Sequence, residues 1–178
     1  IETLYMENSE IKSKAFASFK KIIDEEYAEN KNFKVIFPHT EDSFSLDGVD
    51  FEVKWPPAEF VSGNENYMSI VLLLKYGDFE ALLTGDAEKN AYDGMVIRDE
   101  VEVLKVPHHG SVDGCNPEFL ANLKPLVSVI SVGKGNKYHH PSPTVVNFLS
   151  KFGTVYRTDL DGTVVIKSDG VVFTRTQW

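Results

Sequence analysis

Four of the five histidines in the sequence stand in two adjacent pairs, and each pair follows an apolar stretch typical of a strand. The pairs are His108-His109, before Gly110, and His139-His140, before Pro141. A third polar cluster, Thr84-Gly85-Asp86, directly follows another apolar stretch. Neutral imidazole and carboxylate groups bind zinc or manganese and can also transfer protons. The pattern therefore indicates a hydrolytic site that uses a divalent metal.

Each cluster taken singly has an ordinary explanation. A Gly-Asp pair after a strand is commonly a turn, a histidine pair in a loop is commonly a surface feature, and Ser111 can cap the segment that follows it. His39 has no chemical partner nearby in the sequence and is interpreted as ordinary. The joint occurrence of three such clusters, each after a strand that can hold it rigidly, favours a functional site.

The composition is that of a soluble globular protein, and residues 1–178 are predicted to form a single domain. The net charge of −9 is not the footprint of a typical nucleic-acid binder, although several basic residues lie near the clusters. One cysteine allows no internal disulfide and no cysteine-based zinc site. No apolar run is long enough to span a bilayer, so no membrane contact is predicted for this segment, and its location in the cell is left open.

The spacing of apolar residues predicts strands interleaved with helices, which is an α/β fold with its site in loops at strand ends. Asp47-Gly48 predicts the turn of a hairpin. Predicted strands cover residues 33–37, 43–46, 49–55, 69–75, 79–83, 101–106, 126–132, 154–158, 163–167 and 171–176. Predicted helices cover residues 9–27, 87–97, 117–123 and 143–152.

Several of these segments resemble, in order and spacing, the metallo-β-lactamase-type domain of ComEC competence proteins. The resemblance runs from about residue 50 to the end and is weaker before it. It is carried by Asn66 to Ile70, Leu82 to Asp86, Val103 to Ser111, Val129 to Gly133, Asn136 to Pro141, and Gly153 to Asp159 with Asp161-Gly162.

The resemblance implies an αββα sandwich that holds two divalent metal ions, Zn or Mn, at the edge of its two sheets. Asp86 would bridge the two ions. His108 is the favoured histidine ligand, and His109 is the fallback ligand and a catalytic candidate. His140 would lie near the substrate as a proton donor or a phosphate contact.

Four further polar residues are candidates for contact with the substrate. Asn66 and Ser69 occupy the place where many relatives have another metal-binding histidine, which ComEC-like members lack. Ser111 and Lys134 are candidate contacts to a phosphate group.

The sequence departs from the superfamily in one respect. The His-x-His-x-Asp-His motif, or its variant with Asp at the second position, occurs nowhere in the chain. We therefore expect that the amino-terminal portion of the fold is absent from this sequence and is supplied by the same or another chain. Alone, the chain would bind metal weakly, would be inactive, and would leave a sheet edge prone to aggregation.

The leading hypothesis is a metal-dependent hydrolase that cleaves phosphodiester bonds, in nucleic acid or in another phosphoester, with a metal-activated water. A second hypothesis is a non-catalytic remnant or binding module with an incomplete metal site. A β-lactam or thioester hydrolase is a third. The retention of Asp86, His108, His109 and His140 favours the enzyme over the remnant.

Overall fold

A seven-stranded mixed sheet forms the centre of the computed structural model, which describes residues 2–8, 13–95, 97 and 100–176. The order of its strands across the sheet is their order along the chain. Its strands are β3 (Ser43–Leu46), β4 (Val49–Trp55), β5 (Val71–Tyr76), β6 (Phe79–Leu83), β7 (Val103–Lys105), β8 (Val127–Ile130) and β9 (Thr154–Arg157).

The direction of the strands changes in the middle of this sheet. Strands β3 to β6 pair antiparallel, with tight turns between β3 and β4 and between β5 and β6, whereas β6 to β9 pair parallel. Parallel strands end at the same edge of a sheet, so the segments that leave β6, β7 and β8 begin side by side. This arrangement brings together the three polar clusters, which lie far apart in the sequence.

Three of the helices in the described part of the chain cover one face of the sheet: α2 (Lys89–Tyr92), α3 (Pro117–Leu123) and α4 (Pro143–Leu149). The others are α1 (Lys14–Glu29) and the single turn α5 (Thr158–Asp161). Leu82, Leu104 and Ile130 point from the central strands into a core that also contains Leu120 of α3 and Leu149 of α4. All five side chains are at most 1% exposed, so this side of the sheet is a packed interior.

A two-stranded sheet packs on the opposite face. Strands β10 (Val165–Ser168) and β11 (Phe173–Thr176) pair antiparallel, and Phe173 lies with its ring centroid 5.6 Å from that of Phe79. Val103 and Val127 complete this smaller core. The layers are therefore helices, a large sheet and a small sheet, which confirms the predicted α/β class.

The amino-terminal segment forms a separate small sheet and a long helix. Strands β1 (Thr3–Tyr5) and β2 (Lys34–Ile36) pair parallel on either side of α1 in the chain. Tyr5 stacks on Phe44 with ring centroids 4.4 Å apart, which attaches this unit to the edge strand of the large sheet.

Helix α1 was predicted over residues 9–27. Its described part begins at Lys14, capped by the Ser13 hydroxyl, which accepts from the backbone N–H of Phe16; residues 9–12 lie outside the described residues. Phe19 and Ile22 are 44% and 62% exposed, so the predicted apolar face is not packed against the sheet. The helical spacing of apolar residues predicted the helix correctly. It could not predict burial of the apolar face, because burial requires another element of the fold to pack against that face.

Several predicted elements are shorter than expected, and the reason is clear for two of them. The helix predicted over residues 87–97 is only α2, because Asp93 and Gly94 turn the chain away; residue 96 lies outside the described residues. The strand predicted over 154–158 ends at Arg157, because the Thr158 hydroxyl turns back to bond the backbone N–H and C=O of Val132. No helix in the described parts of the chain is both long and apolar enough to cross a membrane.

Candidate hydrolytic site at the edge of the sheet

The loops that follow β6, β7 and β8 place their polar side chains within contact distance of one another. His109 Nε2 lies 3.3 Å from Asp86 Oδ2. The His108 ring centroid lies 6.2 Å from that of His109 and 5.7 Å from that of His140. The structure therefore brings Asp86 and these three histidines together at one edge of the sheet, and their functional roles stay predictions.

The loop after β7 has a strained backbone that directs the two histidines to different neighbours. His108 and His109 have φ values of 43° and 55°, in the left-handed region that residues other than glycine seldom occupy. Gly110 follows with φ 77°, and a Cβ there would lie 2.7 Å from Cβ of Pro141. Glycine at this position thus lets the His109 loop approach the loop that carries His140.

Asp86 is held by bonds from two other elements. Its backbone N–H donates to Ser69 Oγ at 3.1 Å, and Lys105 Nζ lies 3.7 Å from its Oδ1. Lys105 also donates to the Gly85 carbonyl at 2.6 Å. Burial lowers the pKa of Lys105, and the nearby Asp86 carboxylate partly opposes that change. Ser69, predicted to be a polar site residue, therefore positions the Asp86 backbone.

The hydrogen bonding of His109 indicates which ring nitrogen is free. His109 Nδ1 lies 2.6 Å from the Ser131 carbonyl oxygen, which can only accept a proton. Nδ1 therefore carries the hydrogen, and in the neutral ring Nε2 presents a lone pair towards the Asp86 carboxylate. Two acceptors that face each other need a cation or a proton between them. A backbone carbonyl that fixes the tautomer in this way is typical of metal-binding histidines.

His108 has a different partner, which the sequence analysis did not identify. Its Nδ1 lies 3.1 Å from Glu88 Oε1, although the direction is unsuitable for a hydrogen bond. The same carboxylate oxygen accepts from Asn66 Nδ2 at 2.8 Å. Asn66, predicted to contact substrate, thus orients Glu88. The only sequence signal for Glu88 was its place two residues after Asp86, since a lone glutamate beside a short helix has no motif.

His140 lies in a loop that is organised by Asn136. The Asn136 side chain accepts from the backbone N–H of His140 at 3.0 Å and donates to its carbonyl at 2.7 Å. Partial burial lowers the pKa of His140, and His108 and His109 lower it further, against a smaller opposite effect of the carboxylates. Burial and the two neighbouring histidines therefore both disfavour the protonated form of the His140 ring.

The two predicted phosphate contacts are in contrasting places. Ser111 is 3% exposed, and its hydroxyl accepts from the backbone N–H of Gly114, so it stabilises its own loop. Lys134 is exposed in the loop that leads to His140. His39, interpreted as ordinary, lies 3.5 Å from Asp42 and takes no part in the cluster. The substrate contacts of Ser111 and Lys134 stay predictions.

The side chains present fit part of a metal site. Asp86 and His109 supply two donors with the correct free atoms, and the histidine has the expected carbonyl partner. In the part of the chain that the structure describes, no three His, Cys, Asp or Glu side chains converge on one point. The geometry favours His109 over His108 as the histidine donor, because the strained loop turns His108 towards Glu88 instead.

The site is an open edge and not an enclosed pocket. A cleft of about 820 Å³ lies on the helix side and is lined by residues of α3, α4 and the 112–116 loop. Asp86, His109 and His140 do not line it. Side chains at an open edge are accessible to a large or extended substrate.

Comparisons with known proteins agree with the resemblance drawn from the motifs. No protein-family model matches the chain. It is 35% identical over 127 residues to ComE operon protein 3 of Bacillus subtilis and 33% identical over 119 residues to Recombination protein 2 of Haemophilus influenzae. These matches include 69% and 66% of this chain but only 16% and 15% of the two relatives.

A solved structure from Thermotoga maritima, described as a Zn-dependent hydrolase of the metallo-β-lactamase superfamily, matches 67% of this chain and 59% of its own. The TM-score is 0.39 at 21% sequence identity. The sequence matches establish the relationship without it: this chain is a relative of ComE operon protein 3 and Recombination protein 2, proteins of the ComEC competence type, and corresponds to one segment of them.

Proposed function

We propose that this chain supplies part of the active site of a metal-dependent hydrolase that cleaves phosphodiester bonds, in nucleic acid or in another phosphoester. The observation that carries the proposal is the pairing of Asp86 with His109, whose Nδ1 is occupied by the Ser131 carbonyl and whose Nε2 faces the carboxylate at 3.3 Å. The metallo-hydrolase resemblance of its motifs supports a hydrolytic role.

The residues of this chain have separate parts in the proposed reaction. A divalent ion, Zn or Mn, supplies positive charge and lowers the pKa of water, which is the chemistry that ester hydrolysis needs at neutral pH. Asp86 and His109 are the donors that hold it. His140, whose ring centroid lies 5.7 Å from that of His108, is the group placed to give a proton to the leaving oxygen.

Glu88 and Lys105 position the residues that act. Glu88, which accepts a hydrogen bond from Asn66, places its carboxylate 3.1 Å from the His108 ring. Lys105 fixes the Gly85 carbonyl and neutralises part of the charge on Asp86. The cluster keeps its shape through these contacts, as a preorganised site requires.

The remaining metal ligands come from outside these residues. The sequence contains no His-x-His-x-Asp-His motif, and two donors hold a divalent ion weakly. We propose that a segment carrying that motif, on the same polypeptide or on a second chain, completes the shell. An acidic chain repels a polyanion at long range, so recognition of nucleic acid would depend on local lysines such as Lys134 and Lys137.

The alternative is a binding module that keeps the fold without catalysis. The observation that favours it is that no three metal-binding side chains converge in the described part of the chain. Against it, the His109 loop keeps two residues in the left-handed region, and such strain is typical of functional sites.

The test measures Mn²⁺ binding by titration calorimetry on the chain, on Asp86→Asn and on Asp24→Asn. Asp24 is an exposed aspartate on α1, 62% exposed, and serves as the control. We expect weak binding that Asp86→Asn abolishes and Asp24→Asn leaves unchanged. Absence of binding in the unaltered chain, or binding that survives Asp86→Asn, contradicts the proposed ligand role.

The catalytic part is tested with bis(4-nitrophenyl) phosphate, a diester without a nucleobase. The chain is assayed alone and as the polypeptide encoded by its natural reading frame. We expect Mn²⁺-dependent hydrolysis where the histidine motif is present, with loss of the activity in Asp86→Asn. Hydrolysis that is indifferent to both metal and Asp86 would falsify the proposal.

A further inference from the structure

The loop between β8 and α4 carries an exposed aromatic ring that the proposed chemistry does not use. Tyr138 is 66% exposed, although it stands two residues before His140. Its ring lies nearly parallel to the His140 imidazole, with an interplanar angle of 16° and ring centroids 6.0 Å apart. So large an exposed area contributes little to the core, and it lies beside a residue of the site.

This loop is ordered by bonds to a single side chain. Asn136 Oδ1 accepts from the backbone N–H groups of Tyr138 and His140, at 3.2 Å and 3.0 Å. Asn136 Nδ2 donates to the carbonyls of Gly133 and His140, at 3.2 Å and 2.7 Å. A loop held at four points has lost most of its conformational entropy before a ligand arrives, so its exposed ring is preorganised for contact.

Two exposed lysines lie in the same loop as the ring, and one of them is close to it. Lys137 Nζ lies 4.9 Å from the Tyr138 ring centroid, and Lys134 is exposed in the same loop. Both lysines are exposed and stand on a chain whose net charge is −9. A local pair of lysines around an exposed aromatic ring has the two components that single-stranded nucleic acids need, a stacking surface for a base and charge for the backbone.

We propose that Tyr138 is a stacking platform for an unpaired nucleobase, with Lys134 and Lys137 contacting the neighbouring phosphates. A base in a duplex presents only its edges, whereas an unpaired base presents the flat face that a tyrosine ring requires. The proposal rests on the proposed phosphodiesterase function and specifies its substrate as single-stranded nucleic acid. The parallel rings of Tyr138 and His140 would place the stacked base next to the proton donor.

The test compares a fluorescent oligothymidylate with an abasic oligonucleotide of the same length and label, in a chelating buffer that prevents hydrolysis. Binding to the chain is measured by fluorescence anisotropy. The two probes carry the same phosphates, so their difference in affinity reports base contacts alone. We expect the oligothymidylate to bind about fivefold or more tightly than the abasic probe.

Four variants test which residues cause that difference in affinity. Tyr138→Ala should remove the preference for the base-containing probe, while Tyr138→Phe should retain it because the ring remains. Tyr27 is 65% exposed on α1, so Tyr27→Ala is a matched control that should change nothing. Lys137→Ala should lower the affinity for both probes by the same factor. Thermal unfolding of each variant verifies that the loop change leaves the fold intact.

Three results would contradict the stacking role of Tyr138. They are equal binding of the two probes, binding of neither probe, and an unchanged preference in a folded Tyr138→Ala variant. The assay with bis(4-nitrophenyl) phosphate separates this result from the proposed function, because that substrate has no base. Hydrolysis without a preference for the base-containing probe supports the proposed phosphodiesterase and contradicts the stacking role of Tyr138. A base preference that depends on Tyr138, without hydrolysis in any form of the protein, supports the stacking role and contradicts the proposed phosphodiesterase.

Discussion

Removal of one buried hydroxyl should loosen both loops that carry the candidate metal donors. Tyr92 in α2 is 6% exposed, and its hydroxyl lies 2.9 Å from the carbonyls of both Ala87 and Gly114. Ala87 follows Asp86 directly, and Gly114 packs on His108, because a Cβ there would lie 2.5 Å from that of His108. Tyr92→Phe keeps the ring and deletes only the bridge.

The expected cost follows from the buried acceptors. The single hydroxyl proton can satisfy one carbonyl fully, and burial raises the pKa of Tyr92, so the group stays protonated. An intramolecular hydrogen bond contributes about 1 kcal/mol net, and a buried acceptor left unsatisfied costs about 1–3 kcal/mol. We therefore expect Tyr92→Phe to lower the free energy of unfolding by about 1–2 kcal/mol, and the melting temperature by roughly 2–8 °C.

The assay is urea unfolding followed by circular dichroism, with Tyr27→Phe as the control. Tyr27 is 65% exposed, so loss of its hydroxyl should change stability by no more than about 0.5 kcal/mol. Mn²⁺ affinity should also fall in Tyr92→Phe, since its two loops hold Asp86 and His109. Equal stability of the two variants would refute the argument that the Tyr92 hydroxyl links these loops.

Three further predictions concern packing and ionisation. Gly153→Ala should lose about 1–3 kcal/mol of stability in urea unfolding, because its Cβ would collide with the Leu126 carbonyl; Gly133→Ala, which meets open space, should lose much less. Burial raises the pKa of the Cys115 thiol from 9.0 to about 12, so iodoacetamide should modify it only after unfolding, and rapid labelling of the folded protein would contradict this. As the pH rises, the Cys115 thiol ionises in the unfolded chain before it does so in the folded chain. Its contribution to the free energy of unfolding is therefore fully present below pH 9 and falls by about 1.4 kcal/mol per pH unit above it. Cys115→Ala should remove this loss.

Much of the fold could be predicted because its signals are local. The turn at Asp47-Gly48 joins β3 and β4 as its sequence indicates, and Pro117 and Pro143 begin α3 and α4. The three polar clusters could be recognised as one site because each follows a strand. That step needed only the order of the elements, together with the fact that parallel strands end at the same edge.

The details of the site could not be predicted, because they depend on contacts between distant residues. His108 and His109 are neighbours with the same chemistry, and only the left-handed turn of their loop decides which one faces Asp86. Glu88 acquires its importance from Asn66 and His108, which approach it in space. The burial of Ser111, whose hydroxyl accepts from the backbone N–H of Gly114, likewise depends on the folding of its loop and has no signal in the sequence.

The sequence by itself determined the order of strands and helices, the places where polar residues follow strands, and the relationship to ComE operon protein 3. These properties arise from hydrophobic spacing, turn residues and motifs, which act over a few residues at a time. The tertiary structure alone decided that the apolar face of α1 stays exposed, that His109 faces Asp86, and that Tyr138 stands beside His140. Burial and pairing of this kind depend on which other elements lie opposite, and no local pattern contains that information.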